Sequence, residues 1–475
     1  MWTNSECAKY YVCIEDEVIE FTCSEGLLFD VVRQICDFKQ NVDNCDITEE
    51  VKIPKPLLKS AKCDKRNKQL GCADGTCLPG EYFCDGSVDC PDGSDEGWCD
   101  SQKDPNTPDD CDSVKCKLPF CHCSKDGTDI PGNLNVKQVP QMILLTFDDS
   151  ISFDNWELYS KVLLTQNRKN PNGCSIKATF YVSHQYTNYQ FVQKLWNDGH
   201  EIAVHSITHR DSGTWWSYNA TIEDWFDEMV GQANILNKFA NIRMNEIRGM
   251  RVPYQKVGWN RQFLMMKEFG FVYDSSIVAP YSNPPLWPYT MDFKMPHSCL
   301  GAKQNCPTRS YPGIWEMVIN QMEGGDYTCG TIDTCPPHFD GEDIYKMLTH
   351  NFKRHYLTNR APFGLFFEST WFKKIVYLNA FLKFMEDIRK LPDVYFVTNY
   401  QAIQWIRNPT PINELYSFKH WGCSDPKVLH ENELACEVPN ICKLNSKILQ
   451  EERYFHTCTE CPPHYPWIRN EFGLY

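Results

Sequence analysis

From Met142 onward the chain alternates short apolar runs with helix-length amphipathic stretches. The runs are MILLTF (142–147), ATFYV (178–182), EIAVHS (201–206), GLFFE (364–368) and VYFVT (394–398). Between them lie WELYSKVLLTQN, IEDWFDEMVGQANILNKF and NAFLKFMEDIRK, whose apolar residues recur at helical spacing. Strand–helix alternation over a stretch this long predicts a parallel α/β sheet or barrel, with the active site at the C-terminal ends of the strands.

Upstream, the pattern is set by cysteine. Of the 25 cysteines, 15 precede residue 124. Cys7, Cys13, Cys23, Cys36 and Cys45 fall within residues 1–50, and Cys63, Cys72, Cys77, Cys84, Cys90 and Cys99 within 62–100. Such density marks small disulfide scaffolds matured in an oxidising compartment. VKIPKPLLKSA (51–61) and SQKDPNTPDD (101–110) read as linkers. Cys111, Cys116, Cys121 and Cys123 staple the entrance to a final domain spanning 111–475. The pairings among the later cysteines stay open. In the second module Asp85, Asp89, Asp95 and Glu96 crowd four carboxylates into a short, glycine-punctuated loop. Calcium requires six or more oxygen ligands, and such a loop can gather them.

At 475 residues and 42% hydrophobic content the chain can bury a sizeable core. A net charge of −15 argues against nucleic acid, and no apolar stretch is long enough to span a bilayer. A neutral polymer, or one that becomes cationic on losing acetyl groups, suits that charge. The cysteines imply secretion, yet Met1-Trp2-Thr3-Asn4-Ser5 has neither the basic region nor the apolar core of a signal peptide. We therefore expect a signal already removed, or a truncated N-terminus. Asn219-Ala-Thr221 is a glycosylation sequon.

Two strand ends carry candidate chemistry. MILLTF runs into Asp148-Asp149, and HEIAVHS ends in His205-Ser-Ile-Thr-His209. Paired carboxylates need neutralisation, and histidines four residues apart can grip one metal. Together they form an Asp-His-His zinc site with an open position for water.

These residues resemble the polysaccharide deacetylases of carbohydrate esterase family 4, and specifically the insect-type chitin deacetylases, over most of residues 120–410. TFDDS (146–150), HSITH (205–209), RVPY (251–254) and DSS (274–276) are similar to four of that family's motifs. The resemblance implies a distorted (β/α) barrel preceded by two small disulfide-rich modules. It implies zinc on Asp149, His205 and His209, with Asp148 as general base. Arg251 would hold Asp148 ionised, and the Tyr254 N–H would join the metal in stabilising the oxyanion. Residues 1–50 resemble a chitin-binding peritrophin-A module lacking its first cysteine. That implies the pairs Cys7–Cys45 and Cys23–Cys36, with Cys13 unpaired. Residues 62–100 resemble a low-density-lipoprotein receptor class A module. This implies Cys63–Cys77, Cys72–Cys90 and Cys84–Cys99, and calcium on Asp85, Asp89, Asp95 and Glu96 with the Tyr82 and Ser87 carbonyls. Chitin is then the expected polymer, in an extracellular matrix. Trp215, Trp216, Trp287 and Trp371 are candidates to line a groove for its sugar rings.

One motif departs. Where the family has a histidine that protonates the leaving amine, this chain has Glu368, in GLFFESTW (364–371). An ordinary glutamate is ionised at neutral pH. The aspartate that orients that histidine corresponds to Asp274. A facing Asp274–Glu368 pair would share a proton and restore a general acid. Two readings follow. One is a metal-dependent deacetylase, weakened or acid-shifted. The other is a non-catalytic chitin-binding matrix protein. An adhesion role, resting on the calcium module alone, leaves the large domain unexplained.

Overall fold

The computed structural model describes residues 108–298, 306–423, 429–446 and 449–474. Of the N-terminal region it describes residues 2–3, 9–14, 17–23, 27–31, 35–38, 42, 63, 69–72, 76–83, 89–90 and 95. The chain separates into two compact units, Met1–Pro108 with Pro307–Arg309, and Asp109–Cys306 with Ser310–Tyr475.

Among its described residues, the first unit forms small antiparallel ribbons. Lys9–Ile14 pairs with Glu17–Thr22, and Leu27–Asp30 with Ile35–Phe38 around the buried Phe29. Further along, Gln69–Gly71 pairs with Cys77–Pro79. Ribbons this short bury little apolar surface, so covalent staples supply the missing constraint. Cys23–Cys36, Cys63–Cys77 and Cys72–Cys90 are bonded, as the resemblances imply. The expected Cys7–Cys45 and Cys84–Cys99 bridges, and the side chain of Cys13, lie outside the described residues.

The second unit is built on one curled, mainly parallel sheet. Its strands are β1 (Gln141–Asp148), β2 (Thr179–Val182), β3 (Glu201–Val204), β4 (Gly249–Met250), β5 (Tyr273–Asp274), β6 (Tyr289–Thr290), β7 (Trp315–Glu316), β8 (Phe363–Glu368) and β9 (Val394–Phe396). The order across the sheet is β6-β7-β5-β4-β3-β2-β1-β8, with β9 pairing the start of β1 and β6 alone antiparallel. Every residue of β1, β2 and β3 is buried, which accounts for their near-continuous apolar sequences. Phe147, Phe180 and Phe367, from β1, β2 and β8, stack under the site at 5.2 and 6.1 Å from Phe147.

Helices cover the sheet where the amphipathic stretches predict them. They include α1 (Phe153–Glu157), α2 (Tyr189–Asn197), α3 (Gly231–Ala240), α4 (Trp259–Phe269), α5 (Gly341–Leu357), α6 (Ile375–Ile388) and α7 (Asn399–Arg407). Their starts are chemically marked. Asn188, Asp340 and Thr398 cap α2, α5 and α7 by accepting backbone N–H bonds that the first turn leaves unmet. Gly270 ends α4 at φ +92°, a backbone region in which glycine has no steric penalty. Close approach explains Gly249: a Cβ there would lie 2.0 Å from the Tyr273 ring.

Among the described residues, most of the later cysteine pairings are local. Cys111–Cys123 and Cys116–Cys121 staple the entrance, and Cys329–Cys335 closes a short loop. Cys174–Cys423 ties distant segments, while Cys436–Cys458 and Cys442–Cys461 hold a C-terminal hairpin of β10 (Asn440–Ser446) and β11 (Glu451–Thr457).

Candidate metal and catalytic site

The C-terminal ends of β1 and β3 deliver the two motifs to one place. Ligand atoms of Asp149, His205 and His209 all lie within 4.8 Å of one another. Asp149 Oδ1 is 3.3 Å from His209 Nε2 and 3.9 Å from His205 Nε2. The other ring nitrogens are committed. His205 Nδ1 donates to the Arg251 carbonyl at 2.8 Å, which leaves the Nε2 lone pair facing Asp149. His209 Nδ1 meets the Tyr254 hydroxyl at 3.3 Å, and that hydroxyl donates to Asp211 at 3.4 Å. Burial holds both imidazoles below their ordinary pKa, so the neutral, ligating form dominates near pH 7. One carboxylate and two oriented, neutral histidines form a donor set that fits zinc with a coordination position left for substrate or water.

The backbone around this set is strained. Asp149, Ser206, His209 and Tyr254 all have positive φ without being glycine. Buried Glu228 holds the histidine turn in shape, accepting the Ile207 N–H at 3.1 Å and the Thr208 N–H at 2.9 Å. Neither feature is visible in a motif.

Asp148 stands beside the triad and is 7% exposed. Arg251, fully buried, donates to its Oδ1 at 2.6 Å and to Thr146 at 3.0 Å. The guanidinium also donates to the Ser275 carbonyl and hydroxyl at 2.8 and 2.9 Å, and lies over the Tyr181 and Phe366 rings. Arg251 and burial act on Asp148 in opposite directions. Arg251 does favour the charged form, but burial outweighs it and the carboxyl is raised above its ordinary value. Tyr254 follows Pro253 at a positive φ of 58°, and its backbone N–H is the candidate donor to an oxyanion.

Asp274 is not where the sequence reading places it. Its carboxylate accepts from the Ser276 N–H and hydroxyl at 3.0 and 2.7 Å, and its carboxylate partner is the buried Glu316 on β7. DSS is thus a scaffold: Asp274 shapes the turn from which Ser275 grips Arg251. The facing Asp274–Glu368 pair is replaced by another. Glu368, exposed at the end of β8 and in register with Asp148, donates its N–H to Asp333 Oδ2 at 3.0 Å. Asp333 comes from the loop closed by Cys329–Cys335, and burial with the charges of Glu368 and Asp148 pushes it up to about 7. Glu368 is raised too, by burial and by Asp149 and Asp148. Sequence reasoning missed Asp333 because IDT (332–334) lies outside every strand-end motif.

Three tryptophans proposed for the groove belong to the core. Trp216 is 1% exposed, packs on Trp225 and bonds the Arg210 carbonyl. Trp287 is 1% exposed and stacks on Trp405. Trp371 is 9% exposed and packs between Phe367 and Tyr377. Large rings gain more by filling the interior than by facing water. Trp215 is half-buried, with the Arg210 guanidinium 4.0 Å over one face. Asn219 of the sequon is exposed. In the acidic loop of the second module, Tyr82 is exposed, and the buried Asp95 accepts the Asp89 N–H at 2.6 Å. Asp85, Ser87 and Glu96 lie outside the described residues.

Comparison with known proteins agrees. Residues 135–273 match the polysaccharide deacetylase family, residues 1–45 the chitin-binding peritrophin-A domain, and residues 61–102 the low-density lipoprotein receptor domain class A. Chitin deacetylase 1 of Bombyx mori is 47% identical over 99% of this chain and 88% of that protein. Chitin deacetylase 8 of the same moth is 37% identical over 76% of this chain and 93% of that protein. Among solved structures, the catalytic domain of a peptidoglycan N-acetylglucosamine deacetylase from Eubacterium rectale aligns at 15% identity and a TM-score of 0.31, covering 55% of this chain and 90% of that one. The chain belongs to the polysaccharide deacetylase family, as a homologue of insect chitin deacetylase 1 that carries the same family's fold behind two disulfide-rich modules.

Proposed function

We propose that this protein is an extracellular, metal-dependent deacetylase that hydrolyses the N-acetyl groups of chitin to acetate and free amines. The observation that carries this reading is Asp148: a buried carboxylate clamped by a buried arginine, set beside three metal-ligand side chains. A protein that only binds sugar has no use for such a base.

Asp149, His205 and His209 would hold zinc, which when bound supplies a Lewis acid and lowers the pKa of water. Asp148 takes a proton as water oxygen bonds to the acetyl carbon, with its raised pKa bringing it closer to the operating pH of a base. The Tyr254 N–H donates to the carbonyl oxygen as charge gathers there. When the C–N bond breaks, the nitrogen needs a proton, and Glu368, in register with Asp148 at the end of β8, would give it. The charge interaction between Glu368 and Asp333 beside it favours a protonated acid. Trp215 is the one groove tryptophan with ring surface left for sugar. Calcium bound by the acidic loop of the second module would be structural, and Asn219 would carry glycan.

Glu368 also favours a second reading, because it is an exposed carboxylate in the place of the family's proton donor. A protein disarmed there would bind chitin and organise it without turnover.

The test is acetate release from a soluble N-acetylglucosamine oligomer after zinc loading, with metal content measured on the same sample. Zinc at one equivalent with acetate released, and release lost in Asp148→Asn, upholds the enzyme. Bound zinc with no acetate at any pH sustains the second reading.

A further inference from the structure

The C-terminal hairpin has no part in the chemistry above, yet it presents an unusual face. Its inward residues Cys442, Leu444 and Phe455 are buried in the main core. Outward, Ile441 is 64% and Tyr454 63% exposed, and His456 lies directly opposite Ile441. Phe153, 61% exposed on α1, meets His456 edge-on with ring centroids 5.0 Å apart. The charges on this face cancel, since Lys443 and Glu452 pair at 3.1 Å. Burial holds His456 below its ordinary pKa, so it too is neutral near pH 7. Exposed rings in a row on an electrically neutral surface match the apolar faces of an uncharged glycan, not a charged partner.

Position completes the case. α1 begins four residues after Asp149, and Asn155 within it donates to the Ser369 hydroxyl, next to Glu368, at 3.3 Å. The loop after β2 joins the other side: Asn188 donates to the Ile151 carbonyl at 2.7 Å and bridges to His456. Two disulfides, Cys436–Cys458 and Cys442–Cys461, brace the hairpin internally, and its buried Cys442, Leu444 and Phe455 seat it in the core. A rigid mount matters because ordering a mobile loop would cancel much of the stacking gain.

We propose that Phe153, His456, Ile441 and Tyr454 form a glycan platform that continues the catalytic groove and takes the sugar rings of a long N-acetylglucosamine chain beyond the reacting unit. This inference rests on the deacetylase reading.

The experiment uses the full chain loaded with zinc. Acetate release is measured from the dimer and the hexamer of N-acetylglucosamine, in wild type and in Tyr454→Ala, whose exposed ring leaves the core intact. Hydrogen exchange is followed with and without hexamer. The platform predicts that kcat/KM on hexamer falls about three- to tenfold in Tyr454→Ala with the dimer unchanged. Hexamer should also slow exchange across residues 151–157 and 440–457 of the wild type. Unchanged hexamer rates and no local protection, with acetate still released, overturn the platform and leave the deacetylase standing. Protection at these segments without acetate from any oligomer retires the activity and keeps the platform. Neither signal removes both.

Discussion

The backbone N–H of Glu368 donates to Asp333 Oδ2 at 3.0 Å, placing a second carboxylate against the residue that occupies the proton-donor position. The charge of Glu368 also raises the Asp333 carboxyl, so the two resist simultaneous ionisation. The pair therefore retains a proton at a pH where an isolated glutamate would have lost it.

Replacing Glu368 with histidine should separate geometry from proton supply. Glu368→His restores an acid that is half protonated near neutrality, so acetate release at pH 7 should rise by roughly 10² if the remaining site is sound. Steady-state rates on a soluble oligomer read this directly. No gain would mean that the defect lies elsewhere.

Asp333→Asn keeps an acceptor for the Glu368 N–H and removes a negative charge. Glu368 then loses its proton at lower pH, and the falling limb of the rate–pH curve moves to the acid side. Stability carries a second signature. Asp333 is raised from 3.8 to about 7, so its contribution is complete below 3.8 and is lost as pH rises through about 7. Asp333→Asn should flatten the stability change across that window in urea titrations at stepped pH. An unchanged slope would place Asp333 in water.

Much of this architecture was legible in the sequence. The apolar runs at 142–147, 178–182 and 201–206 are buried strands because a parallel sheet covered on both faces leaves no polar alternation. Asp149, His205 and His209 converge because their motifs end neighbouring strands. What could not be read was lateral partnership. Asp333 reaches Glu368 from a disulfide loop 35 residues away, and Asp274 meets Glu316 across paired strands β5 and β7. Tryptophan counts gave no indication of burial, since Trp216 and Trp287 carry no sequence mark distinguishing core from groove.

That burial is itself testable. Trp287→Ala opens a cavity beside Trp405 and should destabilise the large unit by about 3–5 kcal/mol in denaturant unfolding. The specific signature of a groove residue, weaker oligomer affinity at full stability, should be absent.

Metal removal should act on folding as well as rate. Zinc that binds only the native site stabilises it by about 2.7 kcal/mol at a hundredfold excess over Kd. A chelator should therefore lower Tm, and the shift should vanish in His205→Gln. A chelator effect that persists in that variant would point to a second metal site, for which the acidic loop of the second module is the candidate.

The most direct test of the central claim is the pH profile of acetate release by the zinc-loaded wild type, with Asp148→Asn as control. A carboxylic proton donor predicts release that is highest on the acid side and declines towards and above pH 7, with nothing above background in Asp148→Asn. A rate independent of pH across that range, or acetate persisting in Asp148→Asn, would contradict it.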